Sequence, residues 1–127
     1  MCPCTTPHYA LALKATAAAV PAGRELVRAM LEECGLERLI DDAMLITAEL
    51  VGNAIRHGED VVLLLYVDRE RKLNVQVWDP GPGEPKVGAP EELDEGGRGL
   101  MLVEALADEW GSAPDVLGGK VVWAKVG

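Results

Sequence analysis

The chain has few basic residues. It carries 12 Lys and Arg against 21 Asp and Glu, which gives a formal net charge of −9. Surfaces that bind nucleic acid or anionic membranes use clustered Lys and Arg, so this composition argues against both kinds of partner. Any phosphate that the chain binds would have to be held locally, by a metal ion, by backbone N–H groups and by one or two basic side chains.

A long apolar run is also absent. The longest uninterrupted one, Val61 to Val67, is far shorter than the roughly 20 residues that cross a bilayer. The N-terminus has no basic segment followed by an apolar one, which a secretory signal would have. We therefore expect a cytoplasmic protein. Its 127 residues and the absence of repeats predict a short tail, residues 1–8, and a single domain, residues 9–127.

Cysteine is scarce, and the three cysteines cannot all pair with one another. Cys2 and Cys4 lie in the N-terminal tail, where reduced thiols are the default expectation. A metal site made of Cys2, Cys4 and His8 is an open alternative, although no second pair of ligands follows at zinc-type spacing. Cys34 ends an apolar helical face and is expected in the core.

The spacing of apolar residues predicts three helices and five strands. Residues 79–95 carry four prolines and an acidic cluster, which indicates a long loop, and loops of that length are often functional. The pattern fits an α+β fold, a two-layer α/β sandwich in which a mixed, mostly antiparallel sheet is covered on one face by helices. Strands are predicted at 9–15, 61–67, 73–78, 116–117 and 121–126, and helices at 21–34, 41–57 and 100–110.

The second predicted helix carries Glu49, Asn53 and His57 at steps of four, so their side chains form one row along the flank of its apolar stripe. A carboxylate can accept a proton, an amide oxygen can bind a hard divalent cation, and an imidazole can donate to an anion. Together these groups suit a site for a metal-bound nucleotide. A polar edge on an amphipathic helix remains the alternative for this segment taken alone.

Two glycine-containing segments could complete such a site. Asp79, Gly81 and Gly83 follow a predicted strand, where a carboxylate would accept a hydrogen bond from the amino group of adenine and glycine would let the base approach closely. The segment from Gly96 to Leu100 precedes the last helix, where N–H groups and Arg98 could hold phosphate. An ordinary turn and a flexible start to a helix are the alternatives.

The order and spacing of these three segments resemble the ATP-binding domain of the GHKL superfamily, over almost the whole chain from Tyr9 to Val126. The similarity is closest to small anti-sigma-factor serine/threonine kinases. It implies a Bergerat-type fold, bound ATP and Mg²⁺, Glu49 as general base, Asn53 as the Mg²⁺ ligand and Asp79 on adenine. It further implies that the triphosphate is lined by Gly97 and Gly99, and that the ATP site extends to Arg56, His57, Gly81, Gly83, Arg98 and Leu100.

The sequence departs from the family pattern at one residue and in one segment. Val121 stands where family members often carry a threonine that supports the adenine-binding aspartate. Residues 91–95 are mostly acidic, whereas anti-sigma kinases tend to have a basic residue just before the glycines. We expect Arg98 to supply the missing positive charge.

The resemblance leads to two functional hypotheses. The first is a protein serine/threonine kinase that phosphorylates an antagonist protein and sequesters a sigma factor. The second is a catalytically silent binding module that uses nucleotide as a conformational ligand. Either one could form a homodimer, and neither requires direct contact with nucleic acid or membrane.

Overall fold

The computed structural model describes residues 8–56, 58–81 and 95–127, and of residues 95–98 it describes the backbone alone. The helices are α1 (Ala19–Glu33), α2 (Ile40–Ile55) and α3 (Glu95–Leu106), with a 3₁₀ turn at Glu37–Leu39. The strands are β1 (His8–Leu13), β2 (Val61–Val67), β3 (Leu73–Asp79), β4 (Glu109–Pro114) and β5 (Lys120–Val126).

The five strands form one sheet in the order β1-β2-β3-β5-β4. Every pairing between these strands is antiparallel, so the described sheet is antiparallel rather than mixed. With three helices beside it, the sheet confirms the predicted α+β sandwich. The chain leaves α2 to enter β2, pairs β3 with β2, and returns through α3 to the hairpin of β4 and β5.

The core lies between the sheet and the helices. Side chains alternate along β2, β3 and β5, and the residues on one face of the sheet, among them Leu63, Val75 and Val122, are buried. Helix α1 packs on this face, because a Cβ added at Gly23 would lie 3.4 Å from both Leu63 and Thr47. Burial of these apolar surfaces is the main force that holds the two layers together.

The β2–β3 turn is fastened by Asp68, the first residue of the charged segment 68–72. Its Oδ1 accepts hydrogen bonds from the N–H groups of Glu70 (2.9 Å) and Lys72 (3.0 Å), and its Oδ2 accepts one from Asn74 Nδ2 (3.1 Å). Burial alone would raise the pKa of Asp68, but these hydrogen bonds and the positive charge of Lys125 hold that pKa below its ordinary value. The turn is therefore stabilised by an ionised carboxylate.

The end of the chain differs from the sequence prediction. Residues 107–110 were expected to continue the last helix, but α3 ends at Leu106 and β4 begins at Glu109. Trp110 pairs with Ala124 of β5, and this partner is supplied only by the folded sheet. The predicted strand at Val116 and Leu117 is also wrong, because both residues are exposed in the β4–β5 turn, followed by Gly118 and Gly119 at positive φ.

Candidate functional site

Helix α2 presents the predicted acid and amide on one flank. Its buried stripe of Ile46, Leu50 and Ala54 faces the core, so Glu49 and Asn53 lie beside the stripe and are half-buried. Asn53 lies in the last turns of the helix, where Arg56 Nη1 donates to its Oδ1 at 3.3 Å. Arg56 itself is exposed. The row that the spacing predicts is present for Glu49 and Asn53, whereas His57 lies outside the described residues.

Helix α3 meets this flank at Gly99. A Cβ added there would overlap Glu49 Oε2 and would lie 3.3 Å from Glu49 Cδ and 3.7 Å from Glu49 Cβ. Only glycine therefore lets α3 approach while the Glu49 carboxylate keeps its place. The next residue, Leu100, is 2 % exposed and belongs to the hydrophobic core. Of the predicted phosphate-binding segment, the structure thus brings Gly99 against Glu49 and places Leu100 in the interior.

Asp79 is the last residue of β3 and is only 2 % exposed. Its Oδ1 accepts a hydrogen bond from the N–H of Gly81 at 2.8 Å. The same oxygen lies 3.3 Å from Lys120 Nζ, the ammonium of a lysine that is 9 % exposed. Sequence reasoning missed Lys120. The cross-strand register of β3 and β5 sets Asp79 directly opposite Lys120, and only a correct prediction of that register could have revealed the pair.

The turn between β4 and β5 closes over the same point. Trp78 Nε1 donates to the carbonyl of Gly118 at 3.0 Å. A Cβ added at Gly119, which has a φ of +75°, would overlap the carbonyl oxygen of Asp79 and lie 2.9 Å from Pro80 Cα. The backbone around Asp79 is therefore enclosed by β5 and its preceding turn.

The topology gathers these groups at one end of the sheet. Val62 at the start of β2 pairs with Trp78 at the end of β3, and β2 follows the C-terminal end of α2. Asn53, Asp79 and Lys120 consequently lie toward the same end of the sheet, and Gly99 of α3 contacts the α2 flank at Glu49, about one turn before Asn53.

Several predicted site residues fall outside what the structure describes. Gly83 and the acidic segment 91–94 lie outside the described residues, and Gly97 and Arg98 are described only as backbone of α3. Their assigned roles stay predictions.

The donor atoms of the described site suit Mg²⁺. No three His, Cys, Asp or Glu side chains come together as ligands within the described part of the chain. Mg²⁺ is commonly held by one or two protein oxygens together with phosphate oxygens and water. The amide oxygen of Asn53 matches that donor set, and the carboxylate of Asp79 matches an amino group. The zinc-type alternative rests on Cys2 and Cys4, which lie outside the described residues.

Within residues 8–56, 58–81 and 95–127, no helix is long and apolar enough to cross a bilayer.

Comparison with known proteins agrees with this geometry. The model of the histidine kinase-like ATPase domain family matches residues 13–126. The chain belongs to this family. The match runs from Leu13, the last residue of β1, to Val126, the last residue of β5, and it confirms the resemblance to the GHKL superfamily.

Among solved structures, the chain is similar in fold to one from Mycobacterium tuberculosis, whose title is "The crystal structure of the RsbU and RsbW domains of Rv1364c from Mycobacterium tuberculosis". The TM-score is 0.72 at 24% sequence identity, over 95% of this chain and 32% of that chain. At that identity the similarity shows a shared fold, and this histidine kinase-like ATPase domain spans about a third of the length of the other protein. No curated protein sequence matches the chain.

Proposed function

We propose that this histidine kinase-like ATPase domain binds MgATP and transfers the γ-phosphoryl group to a serine or threonine of an antagonist protein, as an anti-sigma-factor kinase does. The observation that carries the proposal is the contact between Glu49 and Gly99. It places a carboxylate of α2 against the fifth residue of α3, one turn from the N–H groups that begin this helix and that suit phosphate.

Each residue has a role that its chemistry supports. Asn53 would ligate Mg²⁺ through its amide oxygen, and Asp79 would accept a hydrogen bond from the 6-amino group of adenine. Glu49 would take the proton of the incoming hydroxyl while that oxygen forms a bond to the γ-phosphorus. The bond to the bridging oxygen then breaks, and ADP leaves. Positioning and neutralisation of charge supply most of the acceleration in such transfers.

Membership of an ATPase family and the topology around Asn53 and Asp79 support nucleotide binding. The similarity to a protein whose title names an RsbW domain favours the anti-sigma branch over other branches. We further propose that the physiological partners are an antagonist protein, a sigma factor, or both.

The kinase proposal is tested by Glu49→Ala, because this substitution removes the proton acceptor and leaves the metal and base contacts in place. With labelled ATP and a candidate antagonist protein, transfer should fall by at least about 100-fold, as expected for loss of a general base. The affinity for MgATP should change little. Glu104→Ala on the exposed side of α3 is the matched control and should transfer label like the parent. Equal phosphorylation by Glu49→Ala and the parent would refute the role of Glu49.

One observation favours the second function, a nucleotide-regulated binding module without transfer. Val121 offers no hydroxyl to support the carboxylate of Asp79. A base that is held less firmly positions the γ-phosphate less well, and positioning matters more for transfer than for binding. In the same assay, a binding module would retain MgATP and leave every candidate partner unlabelled, whereas a kinase would label one of them.

A further inference from the structure

Lys120 is an unusual neighbour for a carboxylate that recognises a base. Its side chain is 11% exposed, and its ammonium lies 3.3 Å from Asp79 Oδ1. The ammonium also lies 4.0 Å from the position that a Cβ on Gly81 would occupy. A lysine is rarely buried to this extent without a function or a partner, because removing an ammonium group from water is costly. Here the partner is the same Asp79 that the proposed function assigns to adenine.

The two charges give this end of the sheet both kinds of hydrogen-bonding group. Asp79, when ionised, only accepts hydrogen bonds, whereas Lys120 only donates them, and one of its three N–H bonds is directed at Asp79 Oδ1. The edge of adenine presents the complementary pair on adjacent atoms, with an amino group that donates at C6 and a ring nitrogen, N1, that accepts. A carboxylate alone can read only the amino group.

We propose that Lys120 is a specificity-determining residue of the nucleotide site, donating a hydrogen bond to N1 of the adenine ring while Asp79 accepts one from the 6-amino group. This inference rests on the proposed function, because it requires nucleotide at the Asp79 end of the sheet. It extends that function by assigning base recognition to a charged pair rather than to an aspartate alone. The packing of Gly119 against the Asp79 backbone holds both partners of the pair in place.

The test compares binding of MgATP with that of Mg·1-deaza-ATP, in which N1 is replaced by C–H and the 6-amino group is kept. The readout is the ratio of the two dissociation constants from calorimetry. A buried hydrogen bond from a charged donor should make the parent prefer ATP by about 10- to 100-fold. Lys120→Met removes the donor at similar side-chain length, so its preference should fall to about twofold or less. Lys125→Met, the same substitution at the far end of β5, should keep the parent's ratio.

Loss of the Lys120 ammonium leaves Asp79 buried without its positive neighbour, and Lys120→Met could fail to fold. The double variant Asp79→Ala/Lys120→Met removes both charges and leaves neither side chain able to donate a hydrogen bond to N1. It should also show no preference for ATP over the 1-deaza analogue. Thermal melting identifies the folded variant from which the ratio is read.

The outcomes separate the two proposals. A parent that binds neither nucleotide overturns the proposed function and this inference together. A parent that binds both with equal affinity overturns the inference alone. A folded variant without Lys120 that keeps the parent's full preference for ATP also overturns the inference, and it leaves the proposed function standing.

Discussion

Substitution of Gly99 by alanine separates the stability of the fold from the chemistry of the site. The added methyl group would overlap Oε2 of Glu49, the far end of a flexible side chain, and would lie tightly against Cδ at 3.3 Å, whereas Cβ at 3.7 Å is in ordinary contact. The carboxylate must therefore rotate, at a cost of about 0.5–1.5 kcal/mol for an off-rotamer side chain. Alanine in a helix gains about 1 kcal/mol over glycine. We expect the free energy of unfolding to change by no more than about 1 kcal/mol.

The effect on phosphoryl transfer should be much larger. Moving a reacting group by about 1 Å can cost about 100-fold in rate, and the Gly99→Ala methyl displaces the proposed proton acceptor. We expect the initial rate of transfer from labelled ATP to fall by about that factor, while thermal melting shifts by about 4 °C or less. If Gly99 acts through Glu49, the double variant with Glu49→Ala should be no slower than Glu49→Ala alone.

Gly52→Ala is the matched control, because it is also a helical glycine and its added Cβ would lie 3.7 Å from Val20 Cγ2, an ordinary contact. It should gain helix stability and keep the parent's transfer rate. A Gly99→Ala protein that transfers at the parent's rate, or one that loses several kcal/mol of stability, would refute the reasoning about the α2–α3 contact.

Two further predictions concern the turns that frame the sheet. Asp68→Asn should lower the free energy of unfolding by about 1–3 kcal/mol near neutral pH, because the charged acceptor in the β2–β3 turn is lost. Since the pKa of Asp68 is lowered by folding, its contribution is present above the unfolded pKa of about 4. It disappears as the pH falls through the folded pKa, so urea denaturation at pH 3 should show a smaller difference from the parent than at pH 6. Gly119→Ala should cost at least about 2 kcal/mol by thermal melting, because a positive φ and the Asp79 backbone both oppose a methyl group. Gly118→Ala, where nothing lies within 4 Å of the added Cβ, should cost less, and equal losses would contradict the proposed contact.

Local periodicity was sufficient to predict the parts of the fold that depend on neighbours in sequence. The uninterrupted apolar run Val61–Val67 predicted β2 with the bounds that the structure has, and the stripe of Ile46, Leu50 and Ala54 predicted α2 to within two residues at its C-terminal end. Trp110 continued the helical spacing of α3 equally well, yet it lies in β4 opposite Ala124. Pairing with a strand that comes later in the chain outweighs a local preference of this size.

The candidate site divides in the same way, into features that neighbours in sequence determine and features that the packing of distant elements determines. The row of Glu49 and Asn53 follows from helical geometry and was predicted. Two other contacts depend on how distant elements pack. One is the contact of Gly99 with Glu49, and the other is the pairing of Lys120 with Asp79, two residues that are 41 positions apart in the chain. No local pattern marks Lys120 as a neighbour of Asp79, because its burial arises only when β5 aligns with β3.

Calorimetric titration of the parent and of Asn53→Ala with ATP, in the presence and absence of Mg²⁺, tests directly whether these separated segments form one nucleotide site. We expect the parent to bind MgATP more tightly than metal-free ATP. We expect Asn53→Ala to lose that metal dependence, since the amide oxygen that would ligate the ion is gone. A parent that binds no ATP, or an Asn53→Ala protein that keeps the full effect of Mg²⁺, would contradict the proposed site.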